Sequence, residues 1–208
     1  ITTPGGKIAF GNFSSVLMPS LVDLVRQGMQ MSLYVAIDFT GSNGLATSPA
    51  SLHYMSPQLK LNGYESVITS VGAILQEYDS QKRFPVYGFG ATFPAAGITA
   101  VSHCFPLTGN NQNPFVVGVD GILGVYRQVL PSLQFSGPTN FAPILTECLK
   151  SVKYATEQGM FSYSTLLILT DGMITDMNET IDALIDASAF PISVIIIGIG
   201  NADFTSMD

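Results

Sequence analysis

Four short segments of the chain are almost wholly apolar: residues 33–38 (LYVAID), 84–90 (FPVYGFG), 165–171 (TLLILTD) and 192–200 (ISVIIIGIG). Each is rich in β-branched or aromatic residues and near-continuous rather than alternating. That pattern predicts strands of a parallel sheet covered on both faces. A fifth strand is expected over residues 99–105, close behind the turn segment Ala95-Ala96-Gly97. So short a link favours an antiparallel hairpin at a sheet edge.

Helical spacing fills the gaps, over residues 64–78, 121–130, 142–157 and 178–189. In the first, Val67, Ile68, Val71, Ile74 and Leu75 recur at the spacing of one buried face. Asp176 with Glu179 gives an Asp-x-x-Glu start signal before the last. Residues 20–29 predict one more helix, with Pro19 just ahead of it. The order β-α-β-β-α-α-β-α-β predicts an α/β fold of Rossmann-like type. Its sheet is doubly wound and mostly parallel, with one antiparallel edge strand and helices on both faces. With no internal repeat or low-complexity linker, residues 1–208 are expected to form one domain, residues 1–30 being a lead-in and a helix packed on it.

Composition narrows the function classes. A chain with 47% hydrophobic and 11% charged residues is not disordered. No apolar run reaches the roughly 18 to 20 residues of a membrane span. A net charge of −7 with eight basic residues argues against nucleic acid or an anionic membrane surface as a direct partner. Cys104 and Cys148 are too few for a disulfide framework and are read as reduced core residues, as in a reducing cytoplasm. The start at Ile1, with no signal peptide, reads as a piece of a longer protein.

The chemistry gathers at strand ends. Asp38, Thr40 and Ser42 leave the first strand at alternate positions, Asp171 ends the third, and Thr139 lies in a tight loop that opens a helix. In open α/β sheets, ligands bind beyond the carboxyl ends of the strands, where the strand order reverses. Two carboxylates and three hydroxyls, with no sulfur or imidazole, suit a hard cation such as Mg²⁺ or Mn²⁺ completed by water. An acidic group of a protein partner could replace one water. Asn43, Gly44 and Asn140 flank this set and are candidates for touching the partner. Taken alone, an Asp at a strand end is a loop residue and Thr139 a helix cap; order and placement together raise the set above that. Residues 43–62, rich in Ser, Pro and Gly, form either a specificity loop or a simple surface connection. His53 and His103 lack ligand spacing and are read as satisfied structural histidines, and Asp176 as a helix cap.

Asp38-x-Thr40-x-Ser42, then Thr139, then Asp171-Gly172 resembles the metal-ion-dependent adhesion site of von Willebrand A domains, with Thr40 in place of the commoner Ser. More specifically, VAIDFTGSNG, SLHY, YGFGA, VSHCF, GPTNFAPI, LLILTDGMITDM and SVIIIGIGNADF resemble the A domain of the copines, from about residue 21 onward. The resemblance implies a von Willebrand A-type fold and a non-enzymatic module that recruits protein targets. It implies two upstream C2 domains that bind phospholipid in response to Ca²⁺, so that membrane contact is made outside this chain. A cytoplasmic protein recruited peripherally to membranes is expected. A related plant family joins such an A domain to a RING module, although the NADF string is closer to the copines proper.

The rival is a Mg²⁺-dependent phosphatase or phosphotransferase of the haloacid dehalogenase class, with Asp38 as nucleophile. DFTGS resembles the DKTGT of phosphorylating ATPases; Asp171 and Asp176 match a late carboxylate pair, and Thr139 with Lys150 or Lys153 could hold phosphate. Against it, both lysines fall in an amphipathic helix, and Thr40 replaces the general acid.

Overall fold

The computed structural model describes residues 11, 14–58, 60–79 and 81–207. In chain order the elements are α1 (Leu21–Arg26), β1 (Gln30–Asp38), α2 (Gly63–Leu75), β2 (Arg83–Phe89), β3 (Ala91–Phe93), β4 (Ile98–Ser102) and β5 (Phe105–Pro106). Then follow β6 (Phe115–Val117), α3 (Gly118–Val129), β7 (Gln134–Phe135), α4 (Ala142–Glu157), β8 (Ser162–Thr170), α5 (Met177–Ala187) and β9 (Ile192–Gly198).

The main sheet runs β5-β2-β1-β8-β9, and β6 also pairs with β2. β1 is parallel to both β2 and β8, and β8 to β9, while β5 and β6 close the β2 edge antiparallel. Alternating residues feed two cores, as a sheet covered on both faces requires. Leu33, Val35, Ile37, Leu167 and Leu169 pack toward Tyr64 and Ile68 of α2 and Ile122, Leu123 and Tyr126 of α3. Ala36, Leu166 and Ile168 pack toward Ile144, Leu145, Cys148 and Val152 of α4 and Ala187 of α5. Ile37, Leu166, Ile168 and Leu169 are fully buried, each worth about 1.5–3 kcal/mol against exposure. The doubly wound, mostly parallel sheet with an antiparallel edge is thus the observed fold.

Several details differ from expectation. The strand expected over residues 99–105 is two strands. β4 pairs with β3 in a separate antiparallel sheet, β4-β3-β7, and β5 supplies the edge. Ser102 makes the break: its Oγ donates to the Cys104 carbonyl at 3.0 Å and accepts from Cys104 N at 3.4 Å, turning the chain locally. Ile74 is 64% exposed rather than buried. α2 presents Tyr64, Ile68 and Gly72 inward instead, because α3 comes close at Gly72, where a Cβ would lie 2.9 Å from Val119. The expected 20–29 helix is only Leu21–Arg26, held by a Ser20–Asp23 capping box, and buries none of its residues. Residues 1–10, 12 and 13 of the expected lead-in lie outside the described residues.

Candidate metal centre

β1 and β8 lie side by side, with Ile37 opposite Leu169. β1 connects onward to β2 on one side and β8 to β9 on the other. Their carboxyl ends are therefore the switch point, the crevice where an open sheet binds ligands. Asp38 ends β1 at 0% exposure; Asp171, at 7%, follows β8.

Beyond β1 the chain leaves in a single 3₁₀ turn, Gly41–Asn43. The turn folds the hydroxyls back over the strand end. Asp38 Oδ1 accepts from Thr40 N at 2.7 Å and Thr40 Oγ1 at 2.6 Å. Thr40 Oγ1 lies 3.0 Å from Ser42 Oγ and 3.4 Å from Asp171 Oδ1. Ser42 Oγ donates to the same Asp171 oxygen at 2.9 Å. Two carboxylates thus face each other across two hydroxyls.

Neighbouring backbone holds this turn in place. Thr40 bridges to Ser136, whose carbonyl accepts from Gly41 N, and Ser136 N donates to Gly90 O. The following loop delivers Thr139, 8% exposed, whose carbonyl is fixed by Thr175 N at 2.9 Å and Thr175 Oγ1 at 2.7 Å. The Thr139 hydroxyl itself has no hydrogen-bond partner among the described residues. A Cβ on Gly172 would stand 3.5 Å from Thr139 Oγ1 and 3.8 Å from Ser42 Oγ. The missing side chain therefore leaves space between those hydroxyls. All five residues proposed from sequence meet at one crevice.

Electrostatics fit the same picture. Burial pushes the Asp38 carboxyl up to about 6, against the Thr170 and Thr40 hydrogen bonds that pull it down, and the Asp171 charge adds to the rise. Asp171 is raised too, by burial, with Ser42, Thr40 and Asn43 opposing. Neither carboxylate forms an ion pair among the described residues, whose salt bridges all lie elsewhere. Buried carboxylates without a counter-charge are costly. Among the described residues no group of three or more His, Cys, Asp or Glu side chains is placed to hold a metal ion. The donors here are two carboxylates and neutral hydroxyls, and that all-oxygen set fits a hard divalent cation.

A buried chain supports the crevice from below. His53, fully buried, places Nε2 2.8 Å from the Asp38 carbonyl and Nδ1 2.7 Å from Tyr126 Oη. A carbonyl only accepts, so Nε2 carries the proton and Nδ1 accepts from Tyr126. Burial drives the imidazole down to about 3, keeping it neutral. The ring stacks on Tyr64 at 4.1 Å and beneath Phe39 at 5.1 Å. His53 is thus a satisfied structural histidine, as expected. His103 is not: its buried Nδ1 has no partner among the described residues.

Among the flanking candidates, Asn43 is 2% exposed. Its Nδ2 donates to Asp171 Oδ1 at 2.9 Å and its Oδ1 accepts from Tyr64 Oη at 2.6 Å. Asn43 therefore positions Asp171 rather than meeting a partner, a correction forced by its burial. Gly44 and Asn140 are half-buried at the rim, where Asn140 Oδ1 accepts from Thr175. The 43–62 loop is no simple surface connection, since Asn43, Ser51 and His53 are buried in it.

Asp176 sits at the start of α5 but does not cap it. Its carboxylate accepts from Phe141 N and Ala142 N, both at 2.9 Å, and so caps α4. Lys150 pairs with Glu147, and Lys153 stands over the Phe190 ring. The rival's lysines and second carboxylate are thus committed elsewhere. Sequence reasoning missed Thr170, whose Oγ1 donates to Asp38 Oδ2 at 2.6 Å. The signal was present: two parallel strands ending together put Thr170 opposite Asp38. Asn43, Tyr64 and Tyr126 carried no comparable signal.

The copine family model matches residues 51–208. Protein BONZAI 1 of Arabidopsis thaliana is 42% identical over 196 residues, 94% of this chain but 33% of that protein. The chain thus spans about a third of the length of that relative. Among solved structures, manganese-loaded TRAP of Plasmodium vivax is similar at TM-score 0.52 and 14% identity, over 85% of this chain and 60% of its own. Proximal thread matrix protein 1 of the mussel byssus reaches TM-score 0.46 at 16% identity, over 84% and 39%, a likeness too slight to bear on the fold. At 14% identity TRAP bears on the fold alone, which is of the von Willebrand A type. By family match and identity over nearly its whole length, the chain belongs to the copine family.

Proposed function

We propose that this chain is a protein-binding module that grips its partner through one divalent ion, Mg²⁺ or Mn²⁺, held by Asp38, Thr40, Ser42, Thr139 and Asp171. One observation carries this reading: the Thr40 and Ser42 hydroxyls stand between two buried carboxylates that no cationic side chain neutralises. When bound, the ion supplies a positive, electrophilic centre that an acidic side chain of a partner can reach. The chain's own residues prepare that centre. Thr170 holds one oxygen of Asp38, Asn43 holds Asp171, and His53 fixes the carbonyl from which the turn departs. The TRAP protein of this fold is described as manganese-loaded, which supports the class of ion. Copine membership supports a role in recruiting proteins rather than in catalysis. The same membership is our ground for placing phospholipid binding in C2 domains outside this chain, and the whole protein in the cytoplasm with peripheral membrane attachment.

Calorimetric titration of Mn²⁺ into the wild type, Asp38→Ala and Asp171→Ala tests the site. Binding is expected in the wild type and lost in both variants, with the fold retained by circular dichroism. Equal affinity in all three proteins overturns the assignment.

A further inference from the structure

A cavity of about 410 Å³ opens between the loop after His53, α2 and α3, lined by Met55, Ser56, Lys60, Leu61, Glu65 and Arg127. It shares no residue with the metal centre. We infer that this cavity is a second docking site, for a partner segment in which an acidic side chain stands next to an aliphatic one.

The cationic wall is built, not incidental. Arg127 Nε donates to Glu65 Oε1 at 2.6 Å, and Glu65 is only 3% exposed. The other Glu65 oxygen accepts from Asn62 N at 2.9 Å, so the carboxylate is fixed on both sides. A guanidinium carries five N–H donors in a planar fork. With its Nε edge tied to Glu65, the terminal nitrogens have no hydrogen-bond partner among the described residues. Their geometry suits a carboxylate. Exposed Lys60 adds a second positive charge without an ion-pair partner among the described residues. The cavity thus sets two cations against one carboxylate, in a chain with eight basic and fifteen acidic residues. Such a local reversal of sign selects an anionic group and steers its approach.

Met55 and Leu61 decide what that anion is attached to. Both are apolar, Met55 packs on the core, and Leu61 remains 39% exposed at the cavity. A bare inorganic anion would leave this aliphatic wall wet, whereas a leucine-sized side chain beside a glutamate covers it. The volume lies at the lower end of the roughly 300–1,000 Å³ of small-ligand pockets, room for a side chain or two and not for a folded element.

The test is a ¹⁵N NMR titration of the chain with the peptide acetyl-Ala-Leu-Glu-Ala-amide, and with its counterpart carrying Lys for Glu. Both are run with EDTA and with Mg²⁺. Saturable shifts are expected at the Leu61, Glu65 and Arg127 amides with the Glu peptide alone, in either buffer and also in Asp38→Ala. Lys60→Glu, an exposed change, is expected to weaken binding at least about tenfold, the loss of one charge-assisted contact. Equal binding of the Lys peptide, an unchanged Lys60→Glu, or absence of shifts at the cavity overturns the inference. So do shifts confined to Thr40, Ser42 and Gly172 that require Mg²⁺, an outcome that would leave the metal reading standing. Absence of Mn²⁺ binding to the wild type with cavity shifts intact, conversely, would count against the metal reading alone.

Discussion

Thr170→Val removes one hydroxyl and little volume, from a side chain that is fully buried and 2.6 Å from Asp38 Oδ2. A hydrogen bond to a charged group is worth about 1.5–3 kcal/mol. The variant also loses the weaker contact from Gly172 N, at 3.3 Å. The domain should therefore lose about 2 kcal/mol in urea denaturation. Asp38 Oδ2 is then left without this donor, and the carboxylate is free to turn away from Thr40. Mn²⁺ affinity should fall about tenfold, equivalent to about 1.4 kcal/mol. Thr170→Ser keeps the donor and should restore affinity even where it does not restore all the stability. Calorimetric Mn²⁺ titration beside urea melts separates the outcomes. A loss of stability with unchanged Mn²⁺ affinity would show that Thr170 only supports the sheet end. No change in either would refute the hydrogen-bond reasoning itself.

Asp176→Ala takes the carboxylate from the Phe141 and Ala142 amides at the start of α4 and should cost about 1–2 kcal/mol in urea, as a lost helix cap does; a neutral result would mean water replaces it freely. Gly90 adopts φ +78°, and a Cβ there would run into Thr40 Cγ2. Gly90→Ala should lose more than about 2 kcal/mol from left-handed strain and collision together, with weakened Mn²⁺ binding, whereas retained affinity would show that the Thr40 turn yields without consequence.

What was legible in the sequence follows from how each feature is encoded. The centres of β1, β2, β8 and β9 announce themselves because strands buried on both faces are apolar without alternation. Their amino ends do not: Gln30, Ser32, Ser162 and Ser164 are polar, so β1 and β8 begin three residues earlier than the pattern shows. β3, β5, β6 and β7 are two or three residues long, too short for any period to register. The inward stripe of α2 was misjudged at Ile74, because packing against α3 is a tertiary choice that favours the gap at Gly72. Asp176 illustrates the same limit. Its spacing to Glu179 is that of a local cap, yet the backbone donors that its carboxylate satisfies lie across the loop at the start of α4. The site was readable where its donors follow one another along the chain, at Asp38, Thr40 and Ser42. It was hidden where support comes from afar, as with His53, Tyr64 and Tyr126.

Thr40 departs from the serine usual at its place, and the structure shows what accommodates the difference. The hydroxyl of either residue could bridge Asp38 and Asp171, but the threonine methyl must go somewhere in a turn that is 3% exposed at this residue. It goes to Gly90, the residue after β2, whose missing side chain and positive φ let the β2–β3 corner pass directly over it. That corner is tied at both ends, Gly90 N to Ser102 O and Ser136 N to Gly90 O, each at 2.9 Å. The methyl is therefore held against a fixed surface, and a β-branched side chain so confined keeps one rotamer. In that rotamer Thr40 Oγ1 lies within 2.6 Å of Asp38 and 3.0 Å of Ser42. A serine could swing its hydroxyl away from the carboxylates while no ion is bound. Threonine gives up that freedom in advance, so the cost of ordering this donor is met in folding rather than in binding.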